Sequence, residues 1–152
     1  MDQLIESRLR KANLTLPNAV KPFGAYANVS QADGLIYVSG MAGFLDGKLI
    51  KGIVGDSIDV EQAAFAARQT MLMTLACLDE AIGLGKISRC IRLTVYSRTT
   101  SDFEQHPAVA NGACDVLSSV FEGQPLPART AIGVYTLPMG IAVEIDSVFK
   151  LS

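Results

Sequence analysis

The chain has 152 residues, 49% apolar and 18% charged, with a formal net charge of −2. That length suits one domain with a substantial core, and that apolar content excludes a disordered polymer. The slight acidity excludes the basic footprint by which proteins grip nucleic acid. Cys77, Cys90 and Cys114 lie far apart without a C-x-x-C pair, so neither a disulfide framework nor a metal site is expected, and each reads as a small core residue. The opening Met-Asp-Gln-Leu-Ile-Glu has no basic n-region and no apolar h-region, so no secretory leader is expected. The uncharged run 130–143 holds Pro138 and Gly140 and is too short to span a bilayer. A cytoplasmic protein with no nucleic-acid or membrane partner is the simplest expectation.

In chain order, residues 2–13 place Leu4, Ile5 and Leu9 on one side of a short helix that Pro17 ends, outside the main sheet. A first strand is expected over 25–30, then a turn at Asp33-Gly34. A buried strand over 35–39 follows, then a turn at Asp46-Gly47 and a minor strand at 48–50. Asp59 with Gln62 three residues on is a capping box, and a long helix is expected from 60 to 82, stopped by Gly83. Its alanines, Ala63 and Ala67, suit close approach to a sheet. Alternation predicts a strand over 90–97. A second helix is expected over 109–121, with Pro107 in its first turn. The chain closes with two β-rich runs, 128–137 and 141–149, joined by Pro138-Met139-Gly140 and read as a hairpin. Strands separated by helices put both helices on one face of a single sheet. The last two strands carry apolar residues at both parities, so the other face is expected to be buried against further copies of the chain.

Two charged residues in the last runs are the chemical candidates. Arg129 follows Pro127-Ala128, and its guanidinium is a fixed fork suited to a carboxylate; the alternative is a surface ion pair of little worth. Glu144 stands between Val143 and Ile145, where a carboxylate is costly to bury without a task; the alternatives are an edge residue or a partner for Arg92 or Arg98. If Leu137 pairs with Ile141 in the hairpin, Glu144 faces Val134 and Arg129 lies about 17 Å further along. The two could then share a ligand only through a bulge or between chains. Tyr26 reads as a core aromatic or a site tyrosine. Ser39-Gly40 reads as a strand-end turn or as backbone open to a ligand. Asn111 reads as packing or a site amide, and the lone His106 as a structural residue at a helix start.

The pattern Pro-Ala-Arg at 127–129, Leu-Pro at 137–138 and Val-Glu-Ile-Asp at 143–146 resembles the C-terminal signature of the Rid family, also called YjgF/YER057c/UK114. The resemblance runs from about Ala25 to Phe149, leaving residues 1–20 as a helical extension and 21–152 as a single Rid-like domain. Tyr26, Ser39-Gly40 and Asn111 are similar to the family's substrate-binding positions, Arg129 to its carboxylate-binding arginine and Glu144 to the acid that orients water. The resemblance implies an α+β, chorismate-mutase-like fold: a mixed sheet with two helices on one face. It also implies a homotrimer with sites between subunits and no cofactor. The implied activity is hydrolysis of enamine/imine acids of the 2-aminoacrylate type to 2-keto acids and ammonia. Departures are Ala131, where deaminases often carry Cys, Met41 in place of Gln after Ser-Gly, and the segment 44–56. A non-catalytic trimeric binder of small carboxylates is the alternative; a ribonuclease or translation-linked factor is a third reading, opposed by the acidic charge.

Overall fold

The computed structural model describes residues 1–152. Its longest helix, α2 (Val60–Ala81), starts as the capping box predicts. Asp59 Oδ1 accepts from the Gln62 N–H at 2.8 Å, and the Gln62 side chain accepts from the Asp59 N–H at 2.9 Å. Two orphan donors of the first turn are thereby satisfied. Helix α3 (His106–Val120) runs beside it, and both lie on one face of the main sheet. The helices approach closely where Gly112 meets α2: a Cβ there would overlap the Ala64 carbonyl.

A third helix, α1 (Gln3–Lys11), is N-capped by Asp2, whose carboxylate accepts from the Leu4 and Ile5 N–H groups. Ile5 and Leu9 are buried in the same core as α2 and α3. Arg8 closes the far end of α3, donating to the Val120 and Glu122 carbonyls at 3.1 and 3.3 Å. Cations and donors suit the exposed carbonyls of a helix C-terminus.

The sheet is built from β1 (Val29–Ala32), β2 (Leu35–Ala42), β5 (Ile87–Arg98), β6 (Ala128–Val134) and β7 (Val143–Leu151), in the order β1-β2-β7-β5-β6. Between β2 and α2, β3 (Phe44–Leu45) and β4 (Lys48–Leu49) pair separately. The expected turns at Asp33-Gly34 and Asp46-Gly47 are present, with both residues of each at positive φ, which matches the right-handed twist of a two-residue hairpin. Along β7, Val143, Ile145, Ser147 and Phe149 are buried towards the helices, while Glu144, Asp146 and Val148 face the other way. No helix covers that second face, where Tyr37 is 47% and Ile132 41% exposed.

Three expectations need correction. The final two strands are not a hairpin: β6 pairs parallel with β5, and β7 lies between β5 and β2, antiparallel to both. Pro138–Gly140 is a 3-10 turn, with Met139 at φ 58 and Gly140 at φ 69, and it carries the chain past β5 instead of folding it straight back. β7 thereby gains hydrogen-bonding partners on both sides, while β6 stays at an edge. The first strand begins at Val29, because Tyr26 is turned out of it by a bond from its N–H to the Gly24 carbonyl at 2.9 Å. Finally, β2 continues through Ser39-Gly40 to Ala42, and the pairing register shifts between Val38 and Met41. Ser39-Gly40 is thus a β-bulge within a strand and not its end.

Candidate functional site

The bulge is where the first group of candidates meets. Tyr26, Ser39, Gly40 and Glu144 line one cleft of about 470 Å3, walled also by Phe23, Phe44 and Met139. Ser39 Oγ donates to the Ala27 carbonyl at 2.6 Å, tying the strand to the segment that carries Tyr26. Tyr26 is 47% exposed, so it is not the core aromatic that one reading allowed; its hydroxyl accepts from the Phe23 N–H at 3.2 Å. Gly40 is required for space: a Cβ there would stand 2.9 Å from Glu144 Cδ. The bulged backbone therefore lies directly against the carboxyl group.

Glu144 has no ion-pair partner, neither Arg92 nor Arg98. Arg92 instead donates to Thr130 Oγ1 at 2.9 Å. Burial pushes the Glu144 pKa above the usual carboxylate range, and neighbouring Asp146 pushes it the same way. The sign of the linkage follows. A group raised in the folded state favours folding below its unfolded pKa, and that contribution is lost as pH rises through the folded value. Glu144→Gln is therefore expected to flatten the loss of stability as pH rises above about 4, the ordinary carboxylate value. Denaturant melts across that range read it directly, and slopes equal to the wild type's would contradict the assignment.

Arg129 and Asn111 meet elsewhere. Arg129 Nη1 donates to Asn111 Oδ1 at 2.8 Å and to Cys114 Sγ at 3.5 Å, and Nη2 to the Pro107 carbonyl at 3.4 Å. Asn111 and Cys114, three apart on α3, hold the guanidinium from one side. None of these partners is a carboxylate, so the surface ion pair weighed for Arg129 does not form and the cation keeps its charge uncompensated. Beside it on β6, Ala131 and Gly133 line a broad cleft of about 960 Å3, together with His106, Phe103 and Arg98. The His106 ring sits over Gly133, where a Cβ would be 2.6 Å from Nε2, and edge-on to Phe103.

The two groups do not meet within a protomer. Arg129 pairs with Leu93 and Glu144 with Tyr96 across the shared strand β5. Leu93 is buried on the helix face, and Tyr96 belongs to the uncovered face. Arg129 and Glu144 therefore lie on opposite faces, about 10 Å apart along the strands and two strand spacings, about 10 Å, across. This replaces the 17 Å separation within one hairpin, and no ligand of keto-acid size touches both in one chain. Sequence reasoning missed Cys114 at Arg129, Asp146 beside Glu144, and the apolar wall of Phe23, Phe44 and Met139. Only the three-residue spacing from Asn111 to Cys114 was a signal for the first. No cluster of three or more His, Cys, Asp or Glu side chains is grouped as a metal ion would need.

The fold defines an α+β class: three helices, a mixed five-stranded sheet uncovered on one face, and a bulged strand bringing backbone against a half-buried carboxyl. The family profile described as Endoribonuclease L-PSP matches residues 16–149, and the chain belongs to that family, the Rid or YjgF/YER057c/UK114 family. It is 32% identical over 151 residues to Protein TCP17 of Trypanosoma cruzi, covering 97% of this chain and 94% of that one. It is 30% identical to a 2-iminobutanoate/2-iminopropanoate deaminase of Dermatophagoides farinae, covering 91% and 94%. Among solved structures, Atu1372 of Agrobacterium tumefaciens, of unknown function, superposes with a TM-score of 0.90 at 32% identity, over 98% of this chain and 93% of that one. RidA of an Antarctic Psychrobacter superposes less tightly, with a TM-score of 0.61 at 26% identity over 88% and 94%.

Proposed function

We propose that the protein hydrolyses enamine/imine acids to 2-keto acids and ammonia, in sites completed between the chains of a homotrimer. The observation that carries this reading is the division of the site. An uncompensated guanidinium and an unpaired, half-buried carboxyl stand on opposite sheet faces, and the carboxyl lines an open cleft. A second chain that set its β6 edge against the uncovered face would bring its Arg129 to this chain's Glu144. The deaminase relatives support the chemistry.

In this reading Arg129 grips the substrate carboxylate, oriented by Asn111, while Tyr26 and the Ser39-Gly40 backbone bound the opposite end. Glu144 holds a water against the imine carbon. As the water oxygen bonds to that carbon, Glu144 takes a proton from it. That proton passes to nitrogen, giving a carbinolamine. Glu144 then takes the proton of the new hydroxyl and returns it to nitrogen as the C–N bond breaks, so that ammonia leaves and the carbonyl forms. A carboxyl whose pKa is raised by burial holds its proton more readily than an ordinary glutamate and is better matched to both transfers. Nothing in this sequence of steps calls on a cofactor. The first twenty residues serve as a brace, since α1 caps the end of the helix that carries Asn111.

The test is keto-acid formation when the protein is added to a dehydratase releasing 2-aminoacrylate. Glu144→Gln should lower the acceleration by about 10²- to 10⁴-fold while leaving binding of a keto acid to calorimetry intact. Retained turnover in that variant would take Glu144 out of the chemistry, whereas keto-acid binding with no acceleration by the wild type would favour the carboxylate-binding module. Gly40→Ala should displace the Glu144 carboxyl and cut turnover by roughly tenfold or more, with a smaller effect on the melting temperature because a side-chain end is what must yield. A Gly40→Ala protein with full activity would remove Glu144 from the site. The endoribonuclease name carried by the family finds no support in the formal charge of −2 or in an acidic side chain at the cleft.

A further inference from the structure

We propose that the Glu144 cleft is shaped for an imino acid with a large apolar side chain, branched aliphatic or aromatic, in preference to the three-carbon acid. This rests on the deaminase reading and narrows its substrate.

Size is the first reason. A three-carbon imino acid has six heavy atoms. Even at the roughly 30 Å3 that a water molecule takes in the liquid, it would fill under half of the cleft of about 470 Å3 that one chain contributes. An acid with a benzyl side chain has twice as many heavy atoms and still fits.

The second reason is the lining. Three of the polar side chains are already engaged within the chain: Ser39 Oγ with the Ala27 carbonyl, the Tyr26 hydroxyl with the Phe23 N–H, and the Asn28 amide with the Val20 carbonyl at 2.6 Å. Glu144 alone has no such bond. The remaining wall is apolar, with Met41, Phe44 and Ile141 at the back and Phe23 and Met139 at the mouth. A polar substrate side chain would lose water there without compensation, whereas an apolar one gains about fourfold in affinity for each methylene it buries.

The third reason is the mouth itself. Phe23 is 63% and Met139 50% exposed in the single chain, an apolar pair at the mouth of the cleft. Met139 is held at φ 58, a left-handed conformation that Gly or Asn would adopt more easily. The local strain places an adaptable thioether at the rim of the cleft.

The experiment compares imino acids released in situ by a D-amino-acid oxidase from alanine, leucine and phenylalanine. The expected result is kcat/KM at least tenfold higher for the leucine- and phenylalanine-derived acids than for the alanine-derived one. Met139→Asn, which suits the backbone, and Phe23→Ser, at an exposed position, should each shrink that ratio about three- to tenfold. Equal or lower values for the bulky acids, or a ratio untouched in both variants, would overturn the proposal while leaving the deaminase reading in place. Calorimetry with pyruvate, 4-methyl-2-oxopentanoate and phenylpyruvate reads the cleft without turnover. Tighter binding of the two bulky keto acids supports the assignment even if no imino acid is hydrolysed and the deaminase reading fails. Equal or weaker binding of those two overturns it.

Discussion

Replacing Arg129 with alanine is expected to lower kcat/KM for imino-acid hydrolysis by roughly 30- to 1000-fold, the equivalent of about 2–4 kcal/mol for a lost charge-assisted grip on a carboxylate. Keto-acid binding should fall in parallel, because the grip acts on substrate and product alike. Lysine should restore little of it, since a point charge replaces a planar fork already set by Asn111 Oδ1 at 2.8 Å. The fold should survive, as Arg129 lies on the edge strand and forms no ion pair. The same variant tests where the site is assembled. Arg129→Ala and Glu144→Gln chains, each inactive alone, should recover about a quarter of wild-type activity when co-assembled at equal amounts, because in a cyclic trimer one interface in four then joins two intact halves. Absence of any recovery in a demonstrated mixed oligomer would place both residues' work in one chain, against the sheet geometry, and the proposed function would have to be abandoned.

The second large effect concerns the fold. Gly112→Ala introduces a methyl group that overlaps the Ala64 carbonyl at the crossing of α2 and α3. Neither side can yield cheaply: the obstacle is backbone, and both helices are buried along that contact through Ala63, Ala67, Val109 and Ala113. The cost is expected near the upper end for overpacking, about 3 kcal/mol, which lowers the melting temperature by roughly 6–12 °C in a chain of this size. A variant melting within a degree or two of the wild type would mean that the helices separate easily. The consequence would reach the site, since α3 carries both Asn111 and Cys114 against Arg129.

Periodicity and punctuation made much of the architecture legible. The capping box at Asp59 and Gln62, the turns at Asp33-Gly34 and Asp46-Gly47, and the alternation of Ile91, Leu93 and Val95 with Arg92, Thr94 and Tyr96 are local signals, and the structure shows each element they predict. The hairpin failed for a reason the chain could not express locally. Two β-rich runs with a breaker between them look the same whether they pair with each other or admit a third strand. What admits β5 is that β6 enters after α3 as a parallel neighbour, leaving β7 to fill the space towards β2. The apolar residues of 141–149 did carry information: they mark a strand with neighbours on both sides and helices over one face.

The residue types of the candidate site were readable in sequence, because a lone arginine and a lone glutamate among apolar neighbours demand partners or tasks. Their placement was not. Local pattern determined that Arg129 is a fixed cation at a strand start and that Glu144 interrupts an apolar run. Only the tertiary structure decided that the first faces the helices and the second the open side, that a bulge presses Gly40 against one, and that Asn111 and Cys114 hold the other. Side-chain direction in a sheet depends on which strands pair and in what register, and pairing is settled by competition among distant segments for the same edges, which no short stretch of sequence records.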